Sequence, residues 1–274
     1  MECFGRQRRT DSMKKFDEKD MFQNPTSAVL IAALEKQTGE LWMDKEDCPQ
    51  TAMLFTDYTC YIDGESMGMG GIQKICEWIE KHNKTSYQIV LQKKALEESI
   101  DKNLNVVMNS TKYLFQKTER HLMEINLPSI DITKLSKYVK GIPEDYVVRG
   151  IDASLYNEAV QDCFLSNFVN GFQNASEFVE NGFGYFLVYA GEIVGGVSSY
   201  VRYEKGVEVQ IAIHPNHRGK HLARSLGAMF LLECYKRNLY PWWDCANPAS
   251  ERIAEQLGYV LKSVNVTYKI KEKD

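Results

Sequence analysis

Apolar positions along the chain switch repeatedly between a spacing of two and a spacing of three to four, and the switches divide it into strands and helices. Residues 27–36 (SAVLIAALEK) have the apolar density and the good helix formers of a buried helix, which Gly39 stops. Residues 51–63 (TAMLFTDYTCYID) mix apolar and aromatic groups with threonines and read as one strand ending at the turn signal Asp63-Gly64. Ile72, Ile75, Cys76 and Ile79 make the buried stripe of a helix over 72–81, and a strand follows at 87–91. A further helix is expected over 94–103, with short strands at 106–108 and 113–115.

A second series opens with a strand at 146–149 and a helix over 155–165, with Leu155, Ala159 and Cys163 on one side. Strands at 184–190 and 193–202 follow, joined tightly at Gly191-Glu192, and Glu204-Lys205-Gly206 turns the second of them into a strand over 207–213. Val207, Val209, Ile211 and Ile213 share one face of that strand, and Glu208, Gln210 and Ala212 the other. Pro215 ends it. Leu222, Leu226, Phe230 and Cys234 then recur every fourth residue, so a helix starts near Gly219. A strand at 240–244, a helix from Pro248 and a strand at 264–270 complete the pattern. An antiparallel meander leading into a strand–helix–strand unit is a mixed, mostly antiparallel sheet flanked by helices, an α/β fold.

Residues 126–145 carry Pro128, Gly141 and Pro143 around a short amphipathic helix, the composition of a connector. The expected organisation is a smaller α/β domain over 1–125, with a substrate-side or packing role, and a second domain over 126–274. A chain of 274 residues with 44% hydrophobic content suits two such cores. The formal net charge of −4 argues against a broad nucleic-acid surface, and the cluster Arg6, Arg8 and Arg9 reads as a solvated terminus. Seven cysteines, an odd count without a C-x-x-C pair, read as reduced. The charged N-terminus and the absence of a long apolar run predict a cytoplasmic protein without a membrane partner.

The chemistry concentrates at residues 207–223. First-turn N–H groups of the helix after Gly219 lack carbonyl partners and carry the positive dipole end, and Arg218, Lys220 and His221 add side-chain donors, so an anion belongs there. Glycines also cluster at Gly64, Gly68, Gly70 and Gly71, but their spacing satisfies no nucleotide motif and reads as a flexible turn. The half before residue 126 shows no metal-ligand spacing and no nucleophile–base pattern. His214 and His217 flank Pro215 without a third ligand, which favours turn packing or phosphate contact over a metal.

The run Arg218-Gly219-Lys220-His221-Leu222-Ala223 resembles the R/Q-x-x-G-x-G/A pyrophosphate loop of the GNAT superfamily of N-acetyltransferases, with His221 where glycine is usual. Residues 242–259 (WWDCANPASERIAEQLGY) are similar to the later part of the same domain. The pair most resembles the subgroup that includes the zwittermicin A resistance protein. The resemblance implies acetyl-CoA as co-substrate, no metal, and a small-molecule amine as acceptor. It implies pantetheine along the backbone of Ile211 and Ile213, with Asn247 and Ser250 facing it. Asn247 also suits a helix N-cap before Pro248. Glu208, on the strand before the loop, is the candidate base, with Gln210 to orient a water; an ordinary strand glutamate is the other reading. The family's frequent tyrosine acid is Ala254 here, leaving Ser250 or a bound water for that role. Cys245 has no histidine placed by sequence to activate it. The expected activity is direct acetyl transfer to an amine; the alternative is a non-catalytic CoA-binding protein with a regulatory or recruiting role.

Overall fold

Ser27 starts the first helix, α1 (Ala28–Lys36), by accepting from the Val29 N–H, and Gln37 in the left-handed region ends it. The computed structural model describes residues 21–45, 49–107 and 111–273, so the basic cluster at residues 6–9 lies outside the described residues. Strands β1 (Glu40–Met43), β2 (Thr51–Phe55) and β3 (Thr59–Gly64) form an antiparallel meander. The single strand expected over 51–63 is therefore a hairpin: the Thr56 N–H donates to Thr59 O across Asp57-Tyr58, and a polar turn pair overrides the strand-forming residues on both sides.

Helix α2 (Met69–Lys81) leads to β4 (Ser86–Leu91), parallel to β3. Gly70 and Gly71 belong to the first turns of α2 rather than to a flexible turn. A Cβ on Gly71 would stand 2.6 Å from Met67 Cγ, so a larger residue there would have to shift that buried side chain. In α3 (Leu96–Val107) Leu96, Ile100, Leu104 and Val107 are buried at helical spacing. Val106 and Val107 thus extend the helix instead of forming the expected strand, because the buried stripe outweighs the β-propensity of two valines; Met108 lies outside the described residues. The expected three-residue strand at 113–115 is the start of the twelve-residue β5 (Tyr113–Glu124).

After α4 (Ile132–Val139) come β6 (Tyr146–Gly150), α5 (Ala153–Ala159) and α6 (Ala175–Asn181). The helix expected over 155–165 ends early, because Asp162 Oδ1 accepts from the N–H groups of Phe164 and Leu165 and turns the chain into a short 3₁₀ segment. β7 (Gly184–Tyr189) and β8 (Glu192–Tyr203) are joined at Ala190 and Gly191, both with positive φ, one residue earlier than expected. β9 (Gly206–Ile213), α7 (Leu222–Arg237), β10 (Tyr240–Cys245), α8 (Pro248–Leu257) and β11 (Val260–Glu272) complete the fold.

The eleven strands of the described residues join one sheet, ordered β1-β2-β3-β4-β11-β5-β10-β9-β8-β7-β6. Among the described residues only β3–β4 and β9–β10 are parallel, so the sheet is mixed and mostly antiparallel, as the pattern predicts. The last strand, β11, runs between β4 and β5 and pairs with both, which knits the end of the chain into the sheet built by its first half. One core lies under α7 and α8, another under α2 and α3. Helix α1 wedges between the halves. Leu30 and Ala33 pack with Leu54, Tyr61 and Val90, while Ala28 and Ala32 pack with Tyr203 and Trp242. Glu35 Oε2 also accepts the Glu204 N–H at 2.8 Å.

Candidate functional site

β9 and β10 pair only from Gly206/Tyr240 to Glu208/Trp242. Beyond that point β10 turns to β5, pairing Trp243, Asp244 and Cys245 with Met123, Leu122 and His121, while β9 continues along β8. The strands therefore splay into a V whose apex is Glu208 and Trp242. From Val209 to Ile213 no described strand occupies the β10-facing edge of β9. Backbone N–H and C=O groups open in this way are a natural seat for an extended ligand.

Past Ile213 the chain makes the loop that carries Arg218-Gly219-Lys220-His221. Gly219 has φ +79°, with open space where a Cβ would lie. His221 has φ +59° at the N-cap of α7, which carries no side-chain cap. Glycine is the easy residue at such a position, and histidine is among the side chains that tolerate it. Its imidazole is exposed. The first-turn N–H groups of α7, which begins at buried Leu222 and half-buried Ala223, thus remain free for an anion. The flanking cations are held. Arg218 Nε donates to Ile213 O at 3.0 Å, and Lys220 Nζ donates to Tyr146 Oη at 2.8 Å, over the rings of Tyr146 and Tyr189. His217 Nδ1 lies 2.9 Å from the same Tyr146 Oη. His214 and His217 pack against aromatic rings, Phe164 for the first and Tyr146 and Tyr189 for the second.

Across the V, Asn247 Oδ1 accepts from the N–H groups of Ala249 and Ser250 and caps α8. Ser250 Oγ accepts from Trp243 Nε1 at 2.9 Å and bonds the Cys245 thiol, which burial pushes up to about 11. Trp243 and Cys245 alternate with Trp242 and Asp244 along β10, so Ser250 sits on the sheet face opposite Asp244. Ala254 is fully buried in the core beneath α8.

Glu208 lies on the face of Trp242 and Asp244, opposite a bulge at Tyr200-Val201 of β8. Its carboxyl faces the backbone N–H groups of Ala28 and Val29 at the start of α1. Burial, and next the neighbouring Asp244, push it up to about 8, against the pull of Arg120 and those two N–H groups. Arg120 comes from β5: its Nε donates to Asp244 Oδ2 at 2.7 Å and its Nη2 to Asp244 O at 3.0 Å. Asp244 is itself raised by burial, opposed by Arg120. Tyr61 bonds Ser27 Oγ at 3.1 Å and, with Tyr200, stands near Glu208; burial keeps both phenols neutral. Gln210 follows Glu208 on the same face, half-buried. The structure thus brings Glu208 and Gln210 together but sets Ser250 on the other face. Sequence reading missed Arg120 and Asp244. An acidic residue amid the aromatic strand residues 240–245 is a signal for Asp244; none exists for Arg120.

An open strand edge leading into an uncapped helix N-terminus suits an extended ligand with an anionic end. The GNAT acetyltransferase family profile matches residues 19–268, and the chain belongs to that family. It is similar to a GCN5-related N-acetyltransferase-like protein from Streptococcus suis, at 25% identity over 92% of this chain and 96% of that one, with a TM-score of 0.77. A GCN5-related N-acetyltransferase from Kribbella flavida shares the fold, at 12% identity over 90% of this chain and 96% of that one, TM-score 0.51. No curated protein matches the sequence.

Proposed function

We propose that the protein is an acetyl-CoA-dependent N-acetyltransferase that carries acetyl directly to an amine of a small molecule. The observation that carries this reading is the splay of β9 from β10 at Glu208/Trp242, leading into the uncapped first turn of α7. The α7 N–H groups, Gly219 and His221, with Arg218 and Lys220 beside them, would hold a pyrophosphate. The open edge at Ile211 and Ile213, where the Ile213 carbonyl also accepts from Arg218 Nε, would hold the pantetheine arm. Asn247 spends its carboxamide oxygen on the cap and has only its NH₂ to offer. When bound, acetyl-CoA supplies an acetyl group activated as a thioester. Glu208 takes the proton of the incoming amine, from the apex of the V and on the face shared with Gln210. The N-terminal half supplies the acceptor side through α1, Tyr61 and Arg120, and residues 1–125 serve as a substrate-side unit.

The resemblance of residues 242–259 to the subgroup containing the zwittermicin A resistance protein points to an amine-bearing natural product as acceptor. Among the described residues no helix is long and apolar enough to cross a membrane, and no group of three or more His, Cys, Asp or Glu side chains could hold a metal. Five described cysteines are free, in keeping with a cytoplasmic protein.

Calorimetry with acetyl-CoA tests the loop: Arg218→Ala should weaken binding by roughly 10–100-fold, as the loss of a charge-assisted hydrogen bond requires. Thiol release with a panel of amines, checked by a mass gain of about 42 Da on the acceptor, tests direct transfer. No binding of CoA or acetyl-CoA would refute the assignment; binding without turnover on any amine would favour a CoA-binding protein without catalysis.

A further inference from the structure

The transfer proposed above needs an amine at the Glu208 carboxyl. In this structure Glu208 Oε2 is closed to solvent and has no hydrogen-bond partner among the described residues. The backbone N–H groups of Ala28 and Val29, at the start of α1, face the carboxyl instead. Helix α1 therefore stands where the acceptor has to come.

Its two sides are held unequally. Towards the first half, fully buried Leu30 packs with Leu54, Tyr61 and Val90. The turn before the helix is tied to the same half: the Thr26 N–H donates to Gln92 Oε1 at 3.0 Å, and Ser27 Oγ lies 3.1 Å from Tyr61 Oη. Towards the second half the helix presents two alanines, Ala28 and Ala32, and half-buried Ile31 to the cluster around Tyr203. Two polar ties on that side are exposed, Glu35 Oε2 to the Glu204 N–H at 2.8 Å and Lys36 Nζ to Glu177 Oε1 at 3.4 Å. An alanine methyl buries far less apolar surface than a leucine side chain, and exposed polar contacts add little. The helix also ends at Gln37 and Gly39, both with positive φ, a joint that can absorb a change of dihedrals.

We propose that α1 is a lid over the Glu208 carboxyl, shut in this structure, and that the acceptor amine is admitted when its Ala28–Ala32 side lifts from Tyr203 and Trp242 while Leu30 stays in the first half. This rests on the acetyl-transfer reading, with Glu208 as base. In the shut state the first-turn N–H groups of α1 stand in for the acceptor at the carboxyl. The cofactor end of β9 lies outside the lid, so opening changes acceptor turnover and leaves acetyl-CoA affinity as it is. Weakening the second-half side of α1 raises the open population, and acceptor kcat/KM in proportion while that population is small.

Glu35→Ala removes an exposed contact on that side, and Glu35→Gln keeps an oxygen for the Glu204 N–H. Access is read on the full chain by amidation of Glu208 with glycine ethyl ester, driven by a water-soluble carbodiimide that leaves as its urea, and located by peptide mass spectrometry. Lid motion is read by amide hydrogen exchange over residues 28–36. Losing a hydrogen bond to a carboxylate should raise both rates by about threefold to tenfold in Glu35→Ala, with Glu35→Gln near the wild type and exchange in β2 and β3 unchanged. The kcat/KM of acetylated amines should rise by the same factor. Unchanged amidation and exchange in Glu35→Ala, exchange that rises along the whole chain, faster amidation without a rise in kcat/KM, or wild-type Glu208 amidated as fast as exposed Glu98 would overturn the lid. Acetyl-CoA affinity measured alongside separates the two readings. Any of those results with acetyl-CoA bound and amines acetylated removes the lid alone; the expected amidation and exchange without acetyl-CoA binding remove the transfer reading and leave α1 as the cover of a buried carboxyl.

Discussion

The loop proposed to hold phosphate and the Glu208 apex lie at opposite ends of one strand, and they are built in opposite ways. The loop is contiguous, residues 218–223, exposed from Arg218 to His221 before the chain buries Leu222, and the direction of its backbone N–H groups is set by Gly219 and His221. The apex draws Glu208 from β9, Asp244 from β10, Arg120 from β5, Tyr61 from β3 and the first N–H groups of α1, and shuts carboxylate oxygens from water. A backbone site tolerates side-chain change and binds what all members of a family share. A site assembled from remote side chains in low dielectric magnifies charge, so each substitution changes chemistry, stability or specificity.

The largest difference is expected in turnover. Glu208→Gln should leave acetyl-CoA affinity unchanged while lowering turnover by about 10²–10⁴-fold. Activity needs the ionised carboxylate, so the wild-type rate should climb with pH up to about 8, and this acidic limb should vanish in the variant. Folding stability moves the other way. The folded-state value lies above that of the unfolded chain, so the contribution is complete below the unfolded value, near 4.3, and is lost as pH rises towards about 8. Denaturant unfolding at about pH 5 and pH 9 should show that loss in the wild type and a smaller one in Glu208→Gln. A fall in turnover below about threefold with the acidic limb intact would make Glu208 an ordinary strand residue.

Next comes Arg120→Met. Removing the guanidinium leaves Asp244 without its partner; the pair retains some solvent contact, with side-chain exposures of 21% and 18%, so the expected cost is about 2–4 kcal/mol by denaturant unfolding. The same change should move the acidic limb to higher pH, because Arg120 is the charge that holds Glu208 down. Arg218→Ala in the loop should cost no stability beyond about 0.5 kcal/mol. Equal losses at the two sites would erase the distinction between them.

The same contrast explains what the sequence discloses. The alternation over 207–213 and the run RGKHLA are local, and strand, loop and helix follow from neighbours in the chain. Arg120 reaches the site only through tertiary pairing: β11 runs between β4 and β5, and β5 then meets β10. No periodicity encodes that insertion. The hairpin at Asp57-Tyr58 and the helical Val106-Val107 were obscured for a related reason, since β-branched and aromatic residues carry the same propensity wherever the chain turns.

The smallest expected effect is the sharpest test of the loop as a backbone site. His221 holds φ +59° with its imidazole in solvent, so glycine there should relieve the left-handed strain and stabilise the fold by about 0.5–1 kcal/mol, with acetyl-CoA affinity equal or better. Valine, branched at Cβ, should instead destabilise by about 1–2 kcal/mol and weaken binding, by pulling the α7 N–H groups out of register. Were His221→Gly to lose affinity by tenfold or more, the imidazole itself would be a phosphate donor. The loop would then resemble the apex, a site made by side chains, and the division between the two ends of β9 would fail.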